Sequence, residues 1–262
     1  MDLLRARWSS ASALCVGLDT DGAKIPAVFQ KSFKPLFEFN KAVIDATHDL
    51  VCAFKPQIAY YAAQGAEDQL AMTIEYIRKT APTVPVILDA KRGDIGETAK
   101  MYAREAFERY GANAVTVNPY MGGDTLQPFL DYKDRGVIIL CKTSNPGSGE
   151  LQNLTAGGRA VYEVVAEKAA KEWNKNGNVC LVTGGTHVEE LRKTRSLIGD
   201  IPLLVPGVGA QGGDVAQILK AGRDSKGQGL IVSASRSVIY ATGGDFQKAV
   251  RAAAQELANV LK

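Results

Sequence analysis

The chain has 262 residues, with 31 Lys and Arg against 28 Asp and Glu, a formal net charge of +3 at pH 7. Apolar residues at 46% and charged residues at 23% are ordinary globular proportions and exclude a disordered or fibrous protein. This length allows one large α/β barrel or two small domains, and a compact chain of the size buries roughly 75% of its unfolded surface without disulfides or metal.

In chain order, the first 18 residues carry Arg5, Arg7 and several serines, a faint transit-peptide pattern, but residues 13–18 read better as a first strand ending at Asp19. Short β-rich apolar runs then recur at 13–19, 51–56, 84–91, 114–119, 136–144, 179–184, 202–209 and 230–236. Between them lie stretches with apolar residues at helical spacing, at 67–79, 95–110, 160–173 and 246–261. The strands are too continuously apolar to have one wet face, so their alternation with helices predicts a parallel sheet covered on both sides. Eight such units fit a single (β/α)8 TIM barrel of class α/β; a doubly wound sheet of this length would usually have fewer strands. No linker or composition step divides the chain, which predicts one domain over 1–262.

Cys15, Cys52, Cys141 and Cys180 are widely spaced in apolar stretches, with no C-x-x-C pair. They read as buried thiols in a reducing compartment rather than disulfides or zinc ligands. No apolar run approaches the ~18 residues of a membrane span, so the expectation is a cytoplasmic protein without a membrane partner. The small mixed charge is no footprint for nucleic acid, although a local basic pocket remains compatible with it. With only His48 and His187, no His-rich metal site can be built, and a Ser-His-Asp triad would have to use one of the two.

On a barrel, chemistry collects where strands end. Asp19, Lys55, Asp89, Lys91, Asn118, Ser144 and Arg236 end strands, and Gln211 follows the seventh. The sharpest segment is Leu88-Asp89-Ala90-Lys91-Arg92-Gly93-Asp94. Period-two alternation points Asp89 and Lys91 the same way, into the mouth, while Leu88 and Ala90 face the outer helices. A structural ion pair is the bland alternative, yet desolvating such charges rarely yields net stability, which favours function. Asp94 stays open between two roles, because Asp94-Ile95-Gly96-Glu97 also matches a helix capping box.

D-x-K-x-x-D after a third strand resembles the orotidine 5′-monophosphate decarboxylase superfamily. The similarity runs end to end, through G-L-D at 17–19, F-K-P at 54–56, L-D-A-K-R-G-D-I at 88–95, V-N-P-Y-M-G-G-D at 117–124, K-T-S-N-P-G-S at 142–148, P-G-V-G-A-Q-G-G-D at 206–214 and S-R-S at 235–237. The chain resembles in particular the longer bacterial subgroup of the orotidine 5′-phosphate decarboxylase family. The resemblance implies decarboxylation of orotidine 5′-monophosphate to uridine 5′-monophosphate in de novo pyrimidine biosynthesis, with no cofactor. It implies an alternating array of Lys55, Asp89, Lys91 and Asp94, with Lys91 the proton donor to C6. Asp94 and Thr98 would come from the other subunit, making a homodimer with shared active sites. Asp19 would bind the ribose, Ser144 the pyrimidine, and Gln211 and Arg236 the 5′-phosphate.

The residues themselves read compatibly. Gly207-Val208-Gly209-Ala210-Gln211-Gly212 matches G-x-G-x-x-G, but at a seventh barrel unit a phosphate cradle is favoured over a dinucleotide site. Arg236 supplies a forked cation suited to phosphate. The Gly-, Ser- and Asn-rich stretch 143–158 reads as a loop that closes over the base. Tyr60 and Tyr61 could line the mouth, but packing is the safer reading. His48, His187, Trp8 and Trp173 are read as surface, capping or packing residues. Two rivals stand beside this. One is a magnesium-dependent superfamily member, against which Lys55 argues because those relatives carry a metal-binding Glu there. The other is a non-catalytic nucleotide-binding barrel, which would have no reason to keep four alternating charges.

Overall fold

A computed structural model of the chain describes residues 2–207 and 214–262. Eight strands form one parallel sheet: β1 (Leu14–Leu18), β2 (Ala53–Pro56), β3 (Ile87–Arg92), β4 (Ala114–Val117), β5 (Gly136–Lys142), β6 (Val179–Thr183), β7 (Leu203–Pro206) and β8 (Leu230–Ala234). Their order is β2-β1-β8-β7-β6-β5-β4-β3, and bridges Phe54 to Val86 and Gln57 to Asp89 join β2 to β3, closing the sheet into a (β/α)8 barrel.

Alternation along each strand separates two cores. Cys15, Ile87, Ile138, Cys180 and Ile231 fill the barrel interior, while their neighbours Val16, Leu88, Ile139, Leu181 and Val232 pack outward under the helices. The inward rows continue upward into polar residues: Ala53 leads to Lys55, Ile87 to Asp89, Ala114 to Thr116, and Ile231 to Ser233 and Ser235. The site is thus the top layer of the same stack that forms the inner core.

The expected helices are present as Glu67–Thr80 and Phe246–Val260. The other two, Gly96–Arg104 and Val161–Lys168, each end in a π-helical turn, at Glu105–Arg109 and Ala169–Trp173. A helix at Asp2–Ser10 packs Leu4 and Trp8 against the interior cluster. Arg7 fixes it, donating from Nε and Nη2 to the Val51 carbonyl at 2.9 and 2.7 Å. All four cysteines are free and buried, and burial pushes the Cys15, Cys141 and Cys180 thiols up to about 12. Among the described residues no helix is long and apolar enough to cross a membrane.

The stretch 143–158, read from the sequence as a loop, carries short elements of its own. It folds into a 3-10 turn at Pro146–Ser148, a helical turn at Gly149–Gln152, and a small hairpin pairing Thr155–Ala156 with Arg159–Ala160. Asp94 does not cap the following helix: the N-cap is Ile95, and among the described residues Asp94 Oδ1 accepts only from the adjacent Ile95 N–H at 2.8 Å. Glu97, the other half of the expected box, pairs instead with Lys100 at 2.6 Å.

Candidate active site

A cleft of about 300 Å³ opens at the C-terminal ends of the strands, lined by Asp19, Lys55, Asp89, Lys91 and Arg236 among others. Asp89 is its hub. Its Oδ2 accepts from Lys55 Nζ at 2.8 Å, and its Oδ1 from Lys91 Nζ at 2.6 Å and Thr116 Oγ1 at 2.8 Å. Lys55 Nζ also lies 3.8 Å from Asp19 Oδ1. Lys55 and Asp89 are buried, whereas 47% of the Lys91 side chain is exposed, so the outermost cation faces the cleft.

Burial by itself would raise the Asp89 carboxyl, but the Lys55 and Lys91 ammoniums overcome it and hold Asp89 below the usual carboxylate range. For Lys55, burial pulls the other way from Asp89 and Asp19, and the two acids win, so its pKa lies above the ordinary lysine value. Lys55 and Asp89 therefore stay ionised throughout the neutral range. Asp19 Oδ1 is buried and accepts no hydrogen bond among the described residues, leaving an acceptor aimed into the site.

Lys91 reaches the cleft by a route that flat alternation does not describe. The β3–β4 register shifts between Leu88 and Arg92, and Lys91 has φ +46°, the one positive-φ non-glycine residue among the described residues. A left-handed residue with a Cβ costs roughly 1–2 kcal/mol, so something must hold it. Thr116 Oγ1 does: it accepts from Ala90 N and Lys91 N, both at 2.9 Å, while donating to Asp89. Thr116 is a cleft-lining residue that sequence reasoning missed. Its signal was a lone hydroxyl in an apolar strand, two residues beyond inward-facing Ala114. Tyr60 also lines the cleft, where packing was the expectation; Tyr61 is buried, donating to the Leu18 carbonyl at 3.0 Å.

Of the expected site residues, Asp19, Lys55, Asp89, Lys91 and Arg236 come together. Ser144 packs against Gly184, where a Cβ would lie 2.8 Å from Ser144 Cα, and it does not line the cleft. Neither do Asp94 and Thr98, and Thr98 is exposed. Gln211 lies outside the described residues, as does most of the G-x-G-x-x-G stretch; Gly207 at its start lines the cleft. His187 sits at the N-cap of the helix Val188–Ile198, and His48 at the C-cap of Pro35–Thr47, so neither joins the site.

Comparison with known proteins agrees with this geometry. The orotidine 5′-phosphate decarboxylase / HUMPS family profile matches residues 12–253. An orotidine 5′-phosphate decarboxylase of Azoarcus sp. (strain BH72) is 56% identical over 97% of this chain and 95% of its own length. Among solved structures, Leishmania donovani OMP decarboxylase superposes with a TM-score of 0.86 at 40% identity, covering 99% of this chain and 97% of that one. Leishmania donovani UMP synthase gives 0.89 at 42% identity, and there the match covers 99% of this chain but only 55% of the longer one. A barrel with this charge array, matched over nearly its whole length by these relatives, belongs to the orotidine 5′-phosphate decarboxylase / HUMPS family.

Proposed function

We propose that the chain decarboxylates orotidine 5′-monophosphate to uridine 5′-monophosphate and CO2 in de novo pyrimidine biosynthesis, with Lys91 as proton donor and no metal or organic cofactor. The carrying observation is the hydrogen-bonded chain from Lys55 through Asp89 to a half-exposed Lys91 at the cleft. The C6–carboxylate bond breaks, its electron pair stays on C6, and CO2 leaves. The Lys91 ammonium stabilises that pair and transfers a proton to C6, then regains one from solvent. Asp89 lies beside the departing carboxylate and keeps Lys91 aimed, while Lys55 holds Asp89 ionised. The same Lys55 ammonium, 2.8 Å from Asp89, takes the place a cation bound to that carboxylate would need, which disfavours the magnesium-dependent reading.

One ammonium ~4 Å from a carbanion supplies about 4 kcal/mol at an effective dielectric near 20. The largest enzymic accelerations require above ~20 kcal/mol, so Lys91 alone is insufficient. Binding remote from C6 has to organise the charges: Arg236 and Gln211 on the 5′-phosphate, Asp19 Oδ1 on a ribose hydroxyl, Ser144 on the pyrimidine. Asp94 and Thr98, which stand outside this cleft, serve the site of a second subunit in a homodimer. Ile95, Met101, Tyr120 and Met121 are exposed apolar residues on the neighbouring segments, suited to such a contact.

The test is CO2 release from orotidine 5′-monophosphate in excess EDTA. Undiminished turnover is expected; loss of activity restored by magnesium would move the chain to the metal-dependent branch, and nucleotide binding without CO2 release would make it a binding module.

A further inference from the structure

Lys142, at the end of β5, is a buried cation for which the chemistry above has no use. It is 1% exposed, and its Nζ donates to Ser148 Oγ at 2.6 Å. Among the described residues it makes no ion pair. Burial holds its pKa below the ordinary lysine value, only partly offset by the Glu190 carboxylate. An ammonium with three protons and a single side-chain acceptor is a costly way to fill space, since an apolar chain of the same length would pack there without desolvating a charge.

What the bond accomplishes is local. Ser148 closes the 3-10 turn Pro146–Ser148, so Lys142 ties that turn back to the strand it left. A second clasp lies alongside: the Gln152 amide accepts from Thr143 N at 2.9 Å and donates to Thr143 Oγ1 at 2.9 Å. The β5–β6 register shifts between Leu140 and Lys142, and Gly184 N donates to the Lys142 carbonyl at 2.8 Å, which brings Gly184 against Ser144. Ser144 is therefore bracketed by the two clasps on one side and the end of β6 on the other.

We propose that Lys142 is a positioning residue: through Ser148 it holds the segment 143–160 folded at the end of β5 and so fixes Ser144, which packs against Gly184 outside the lining of the free cleft, for its contact with the base once substrate binds. This rests on the decarboxylase reading for the identity of the ligand, while the latch itself is a property of the free protein.

Two arms separate those claims. In the first, kinetics with orotidine 5′-monophosphate compare wild type with Lys142→Met, which keeps the length and removes the donor, and with Ser148→Ala. Each raises KM about tenfold, as expected for losing a hydrogen bond to a charged group, with kcat within threefold. The double variant is no worse than Lys142→Met alone, and Lys142→Arg recovers part of the loss. In the second arm, trypsin cleavage after exposed Arg159 in the free protein is several-fold faster in both single variants. KM values within twofold of wild type, or a fall in kcat at unchanged KM, would overturn the positioning role. Wild-type cleavage rates in both variants would overturn the latch whether or not the wild type turns over the nucleotide.

Discussion

Asp89 carries more of the site than any other residue, because three donors converge on one buried carboxylate. Removing Lys55 by Lys55→Met leaves that carboxylate with one buried partner fewer, and breaking such a pair typically costs ~3–5 kcal/mol. The expected outcome is a loss of that order in denaturant unfolding, together with loss of turnover. Its pH dependence has a definite sign. The Asp89 pKa is depressed, so its contribution is present above the unfolded value of about 3.9 and is lost as pH falls through the native value. The Lys55 pKa is raised, so its contribution is present below about 10.4 and is lost as pH rises through the native value. The stability difference between wild type and Lys55→Met is therefore flat from roughly pH 5 to pH 9; a slope inside that window would contradict the ionisation states assigned here. Lys91 adds a separate residue-scale expectation. Lys91→Gly and Lys91→Ala both lose the ammonium, but glycine relieves the positive φ, so the glycine variant unfolds about 1 kcal/mol later than the alanine variant.

At the scale of elements, the β3–β4 irregularity is what aims Lys91, and Thr116 is what pins it. Thr116→Ser keeps the hydroxyl and retains most activity. Thr116→Val keeps the volume, strands two backbone N–H groups, leaves Asp89 Oδ1 with Lys91 as its remaining donor, and lowers kcat by about 10- to 100-fold, in proportion to ~1.5–3 kcal/mol for hydrogen bonding to a charged group. Steady-state kinetics of the pair decide it. The same elements show how far the sequence could be read. Inward rows such as Ala53 to Lys55 and Ile87 to Asp89 follow from period-two alternation, so the converging charges are legible in the sequence. The bulge at Lys91 was not, because it depends on a hydroxyl from the next strand, 25 residues away. Nor were the clasps that fold 143–158, since composition alone distinguishes poorly between an open loop and one tied by Lys142 and Gln152. Spacing alone could not decide between a cap and another role for Asp94; the cap does not form, and Glu97 pairs with Lys100 instead.

For the whole molecule, the near-neutral charge conceals a mouth in which charges alternate, and the scarcity of histidine fits a site built from lysine and aspartate. The barrel supplies its own Lys55, Asp89 and Lys91, whereas Asp94 and Thr98 stand outside the cleft their own chain forms. A homodimer with shared sites then predicts complementation: mixing inactive Lys91→Ala and Asp94→Ala proteins and allowing subunits to exchange restores part of the activity, since some heterodimers hold one site with both residues intact. No recovery after demonstrated exchange would confine each site to one chain. The most direct measurement is the rate of CO2 release from orotidine 5′-monophosphate by Lys91→Ala beside wild type, in EDTA, with both shown to be folded. With Lys91 as the proposed proton donor and charge facing C6, its loss predicts a fall in kcat of at least about 10⁴-fold; turnover by Lys91→Ala near the wild-type rate would contradict the role given to Lys91.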